Sequence, residues 1–109
     1  MERPNLTISV QRGPAEALVT LSGEIDMATA GRMSAVVSDL LNPAPPRVTL
    51  DLAGVTFCDS QGLGTLVVLS RKAAMAQSVL VLINVGDFLL RVLDITGLRG
   101  ALMIQEPSV

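Results

Sequence analysis

The chain has 109 residues, half of them hydrophobic and 17% charged; that suits one compact core, is too short for two ordinary domains and is too apolar for charge-driven disorder. The formal charge is -2 and the few Lys and Arg residues are scattered, so no cationic footprint for nucleic acid or an anionic membrane surface is present. Histidine is absent, which removes Ser-His-Asp and Cys-His nucleophiles and His-ligated zinc.

Phe57 and Phe88 are the only aromatic residues, too few for base-stacking platforms. Cys58 is the sole cysteine, so an internal disulfide is excluded and a reducing compartment fits. Met1-Glu2-Arg3-Pro4 does not lead into an apolar signal region, and no stretch reaches the ~20 apolar residues of a membrane span. A single cytoplasmic domain over residues 1–109 is expected.

Leu6, Ile8 and Val10 alternate with polar residues, predicting a first strand over 6–11 with one buried face. The turn residues Arg12 to Glu16 precede a second alternating strand over 17–23, and the two read as an antiparallel hairpin. From Asp26 the period becomes helical, with Ala30, Met33, Val36, Val37, Leu40 and Leu41 on one face and Asp26 or Thr29 as cap. Asn42-Pro43-Ala44-Pro45-Pro46 ends that helix, because proline lacks the amide donor and crowds the preceding turn.

A short strand over 48–52 follows, then a loop over 53–60 and an apolar helix from Gln61 to about Gln77. The continuous run Val79–Ile83 predicts a central strand covered on both faces. Asp87 is placed to cap a third helix with Phe88, Leu89, Val92 and Leu93 on one face, and Gly97 to take the left-handed position after it. Leu102–Ile104 offers a last short strand. The order β-β-α-β-α-β-α, with a closing β, predicts an α/β layered fold whose sheet is mixed but mostly parallel and flanked by helices.

Polar and small residues separate two apolar elements in the stretch Asp51–Gly64, the kind of junction where functional loops sit. Ser60 falls at the expected N-cap of the second helix, where its hydroxyl would accept from a first-turn amide. The same free amides and the positive end of the helix dipole accommodate a phosphate ester. Local physics leaves both roles open: an Asp-Ser pair before an apolar helix also describes a cap and nothing more.

The segment Phe57-Cys58-Asp59-Ser60-Gln61-Gly62-Leu63 resembles the Asp-Ser-x-Gly-Leu signature of STAS-domain anti-sigma-factor antagonists, with Gly54-Val55-Thr56-Phe57 similar to the turn before it. Leu21-Ser22-Gly23-Glu24-Ile25-Asp26 is similar to the family's Gly-Glu-hydrophobic-Asp element, and Thr96-Gly97-Leu98 to its late Thr-Gly-Leu. Two features depart: Cys58 stands where an aliphatic residue is commoner, and Met75-Ala76-Gln77-Ser78 lacks a glycine usual before the next strand.

The resemblance implies a STAS-type fold and a non-enzymatic switch. By it, the unphosphorylated form binds an anti-sigma factor and frees the sigma factor. That partner is also an ATP-dependent serine kinase, of histidine-kinase-like ATPase fold, which phosphorylates Ser60; a PP2C-type serine phosphatase restores the hydroxyl. Asp26 and Asp59 match acidic positions near the phosphosite, and Gly62 and Leu63 fall in its surroundings or in the partner-binding surface. No cofactor and no metal are implied. The competing expectation is a constitutive STAS scaffold or ligand-binding subunit, for example of a transport assembly, in which Ser60 only caps a helix.

Other residues have plainer readings. Cys58 has no basic neighbour in sequence to favour its thiolate, so packing is expected. Gly62-Leu63-Gly64 lacks the third glycine and the acidic residue of a dinucleotide fingerprint. Asp51 lacks the acidic pair and lysine of a phospho-acceptor aspartate and is read as loop or capping chemistry. Met27, Met33, Met75 and Met103 are expected to fill the core, and the dispersed carboxylates make no oxygen-ligand cluster.

Overall fold

The computed structural model describes residues 5–105. The strands are β1 (Leu6–Arg12), β2 (Glu16–Ile25), β3 (Arg47–Cys58), β4 (Val79–Ile83) and β5 (Met103–Gln105); the helices are α1 (Ala30–Leu40), α2 (Ser60–Met75) and α3 (Asp87–Thr96). The sheet order is β1-β2-β3-β4-β5, with β1 antiparallel to β2 and every other pair parallel. The expected mixed, mostly parallel sheet is present, and the closing strand exists.

Register explains the core. Val19, Leu50, Leu82 and Ile104 form one row across four strands, and Ala17, Val48 and Leu80 form the row below it. These strand residues, Ile104 at the margin, join Met33, Val37 and Leu40 of α1, Leu63, Leu66, Leu69 and Ala73 of α2, and Leu89 and Leu93 of α3 in one cluster. All three helices therefore lie on one face, the outcome of right-handed crossovers that step along the sheet in a single direction.

The other face carries Leu18, Thr49, Val81 and Met103 in register. Both faces of β4 are buried at its centre, as its apolar run predicts, but side chains rather than a helix cover the second one. Arg47 reaches from β3 past β4 to Gln105 Oε1 on β5 at 2.6 Å and also donates to Thr49 Oγ1 at 3.1 Å. The Thr49 hydroxyl in turn bonds Glu16 on β2. Buried Thr49 is thus satisfied within a polar strap over an apolar sheet face.

Several boundaries differ from the sequence reading. The expected loop over 53–60 is mostly strand: β3 continues through Cys58, with Gly54, Val55, Phe57 and Cys58 pairing with Ser22, Gly23, Glu24 and Ile25 of β2 across two register irregularities. α2 ends at Met75 rather than Gln77. The cap of α3 is Gly86, with Asp87 already the first helical residue, its carboxylate favourably placed in the first turn. Gly97 does adopt the left-handed conformation, at φ 74°, and closes α3 as expected.

Of the four methionines assigned to the core only Met33 is there; Met27, Met75 and Met103 are 80%, 85% and 56% exposed. Helical or strand spacing identifies a buried face only inside an element, and Met27 lies in the turn before α1 while Met75 closes α2. Phe88 is also exposed, leaving Leu89 and Leu93 as the buried face of α3.

Candidate functional site

The parallel strands β2 and β3 end side by side, and their last residues build the start of α2. The Asp59 amide donates to Ile25 O at 3.1 Å, which keeps the chain extended one residue beyond β3. Asp59, at φ -89° and ψ -177°, is then the N-cap of α2, its Oδ1 accepting from the Gly62 amide at 2.8 Å. This corrects the expectation that Ser60 is the cap. Ser60 is the first helical residue, exposed, with its hydroxyl unbonded among the described residues.

Asp26 organises the adjoining turn from β2 into α1. Its Oδ1 accepts from the Ala28 and Thr29 amides at 2.9 and 3.1 Å, while Thr29 Oγ1 donates to Glu24 O at 2.8 Å. The Met27 amide crosses to the second junction and donates to Asp59 Oδ2 at 3.2 Å. Asp26 and Asp59, distant in sequence, are thereby brought to one place beside Ser60.

Gly62 and Leu63 are buried and point inward. A Cβ on Gly62 would sit 2.7 Å from both the Ile25 carbonyl oxygen and Ile25 Cγ2 and 2.9 Å from Cys58 Sγ. Only glycine lets the first turn of α2 approach β2 and β3 this closely. Gly62 and Leu63 thus form the packed underside of the helix start that carries Ser60.

Outward from Ser60 runs an open groove between α1 and α2, lined by Met27, Ser34, Gln61, Thr65 and Val68 with the small residues Ala30, Gly31 and Gly64 at its base, and by no charged side chain. Gly31 and Gly64 have no atom within 4 Å of where a Cβ would stand. The sequence reading missed this surface. Val68 lies in the apolar helix that the sequence predicts from Gln61, yet is 47% exposed, and the usable signal was the glycine pair inside two helices, each a cost to helix stability without a packing reason.

Cys58 is buried, and its thiol is pushed up to about 12 by burial first and by the neighbouring Asp59 charge second. It is a packing residue, as expected. Asp51 Oδ1 accepts from the Ala53 amide and Asn84 Nδ2, both at 3.0 Å, which is turn chemistry. Among the described residues no group of three or more His, Cys, Asp or Glu side chains could hold a metal, and no helix is long and apolar enough to cross a membrane.

The sequence profile of the family described as "Mlab, STAS domain" matches residues 8–105. This chain belongs to the STAS-domain family. An anti-sigma-B factor antagonist of Listeria monocytogenes is 29% identical to this STAS domain over 103 residues, 94% of this chain and 90% of the relative. A crystal structure of an anti-sigma factor antagonist from Mycobacterium paratuberculosis superposes with a TM-score of 0.82 at 26% identity, covering all of this chain and 92% of the other. The Bacillus cell-fate determinant SpoIIAA, solved in its phosphorylated form, shares the fold at TM-score 0.73 and 17% identity over 94% of this chain and 92% of that one.

Proposed function

We propose that residues 1–109 act as one cytoplasmic STAS domain and anti-sigma-factor antagonist, non-enzymatic itself, whose unphosphorylated form binds an anti-sigma factor and whose Ser60 is the phospho-acceptor that switches binding off. The observation that carries this reading is that Asp59, not Ser60, caps α2. The helix is complete without the serine hydroxyl, which removes capping as the reason for a serine at this place. The hydroxyl instead stands exposed at the end of an open groove. The names of the sequence relatives, and the phosphorylated form of a protein of the same fold, point the same way.

The switch is electrostatic. A phosphate on Ser60 adds about -1.5 to -2 charges beside the Asp59 carboxylate, at a groove wall that supplies no cation. The free domain keeps that phosphate in water near the amides of a helix start. A docked partner would have to desolvate it, and a hundredfold loss of affinity needs only about 2.7 kcal/mol. The partners of this reading are an ATP-dependent anti-sigma-factor serine kinase, which binds the unphosphorylated domain and modifies it, and a PP2C-type serine phosphatase that resets it.

Incubation with ATP and the anti-sigma-factor kinases encoded in the same genome is expected to add a single phosphate by intact mass, none in Ser60→Ala, and phosphoserine at 60 is expected to lower affinity for the kinase at least about a hundredfold. No phosphate with any of those kinases, or equal affinity of the two forms, would sink the switch and leave a constitutive scaffold.

A further inference from the structure

Capping a helix requires one acceptor oxygen, and asparagine or serine supplies it as well as aspartate does. Asp59 uses two. Oδ1 takes the Gly62 amide, and Oδ2 takes the Met27 amide across a separation of 32 residues. The other amides of the turn into α1 are already held locally, those of Ala28 and Thr29 by Asp26 Oδ1 and that of Asp26 by Thr29 Oγ1. The tie from Asp59 therefore adds fixation at Met27, whose side chain is 80% exposed and lines the groove that holds Ser60.

We propose that Asp59 is a positioning residue: its second oxygen fixes Met27 as an apolar contact for the anti-sigma kinase beside Ser60. This rests on the antagonist reading above and names a determinant of partner recognition within it. An exposed methionine contributes to docking when a partner covers it, and a backbone already fixed in the bound geometry reduces the ordering cost of association. Both Asp59 oxygens accept amide hydrogen bonds, and in its proposed role the carboxylate holds backbone, with proton removal from Ser60 left to the kinase.

Asp59→Asn separates the two bonds, because the asparagine oxygen still accepts from Gly62 while its NH₂ group opposes the Met27 N–H, donor against donor. Amide hydrogen exchange on the isolated domain is expected to speed up about tenfold at Met27, the loss of one charge-assisted bond, with Gly62 still protected. With a kinase that phosphorylates the unaltered domain, KM should rise about five- to tenfold in both Asp59→Asn and Met27→Ala, with kcat within about twofold. Unchanged exchange at Met27 in Asp59→Asn overturns the proposal. So does a collapse of kcat at constant KM, which would make Asp59 part of the chemistry. A KM effect in Asp59→Asn without one in Met27→Ala assigns the effect to charge and also overturns it. Failure of the unaltered domain to accept phosphate would strike at the antagonist reading instead, while the exchange measurement still decides the Met27 tie.

Discussion

The two sides of α2 carry the same residue for opposite reasons. Gly62 faces the ends of β2 and β3, where an added Cβ would meet the Ile25 carbonyl at 2.7 Å; Gly64, two residues on, faces the groove, where an added Cβ would meet nothing within 4 Å. Two residues turn a helix by roughly 200°, so a signature that reads as one motif divides in space into a packing half and a surface half. Gly62, Leu63 and Leu66 belong to the first, while Ser60, Gln61, Gly64 and Val68 belong to the second. Asp59 joins the halves, since its carboxylate starts the helix and reaches the neighbouring turn.

The largest effect is expected on the packed side. Gly62→Ala places its methyl group against a backbone oxygen that has no rotamer in which to retreat. Overpacking of this kind costs about 1–3 kcal/mol, and the rigid neighbour places Gly62→Ala toward the upper end. Denaturant unfolding should show a lowered midpoint at constant slope. A midpoint equal to that of the unaltered domain would mean that α2 shifts freely over β2, and the contrast between the two glycines would fail.

Cys58 probes the same packed side through pH. Its thiol is raised in the folded domain from 9.0 to about 12, by burial and then by Asp59. On unfolding the thiol returns to its ordinary value, so between these limits the unfolded chain releases its proton first. The contribution to stability is present below about pH 9 and is lost progressively as pH rises toward 12. Stability profiles of the unaltered domain and Cys58→Ala should therefore converge above pH 9. Parallel profiles, or rapid alkylation of the folded domain at pH 8, would show Cys58 to be open to solvent.

How much of this was legible in the sequence follows from the range of each interaction. The hairpin and the three helices announced themselves by apolar period, because burial on one face imposes it residue by residue, and β4 by an unbroken apolar run, because both its faces are buried. The second half of β3 did not, since Ala53–Cys58 is largely exposed and holds its strand through pairing with β2. Position by position, Asp59 and Ser60 are equally good caps; the bond from the Asp59 amide to Ile25 selects between them, and a contact across 34 residues leaves no local trace. The signature around Ser60 was readable by resemblance. Its division into inward and outward residues required the helix start to be fixed first. Met27 was misread for the same reason, since its hydropathy points to the core and only its place in the turn reveals a surface residue.

The smallest stability effect is expected on the groove side and has the opposite sign. Gly64→Ala adds a methyl group to a helix interior where no atom opposes it, so relative helix propensity and the reduced freedom of the unfolded chain stabilise the domain by about 0.5–1 kcal/mol. The same methyl group narrows the groove beside Ser60, and affinity for the anti-sigma kinase should fall. A raised melting temperature together with weakened binding would identify a glycine kept for a partner at the expense of the fold. A raised melting temperature with unchanged binding would remove the base of the groove from the docking surface and leave Met27 and Ser60, at its end, to carry recognition. The two glycines thus test each other: one substitution should cost stability because the chain itself occupies the space, and the other should gain it because something else must.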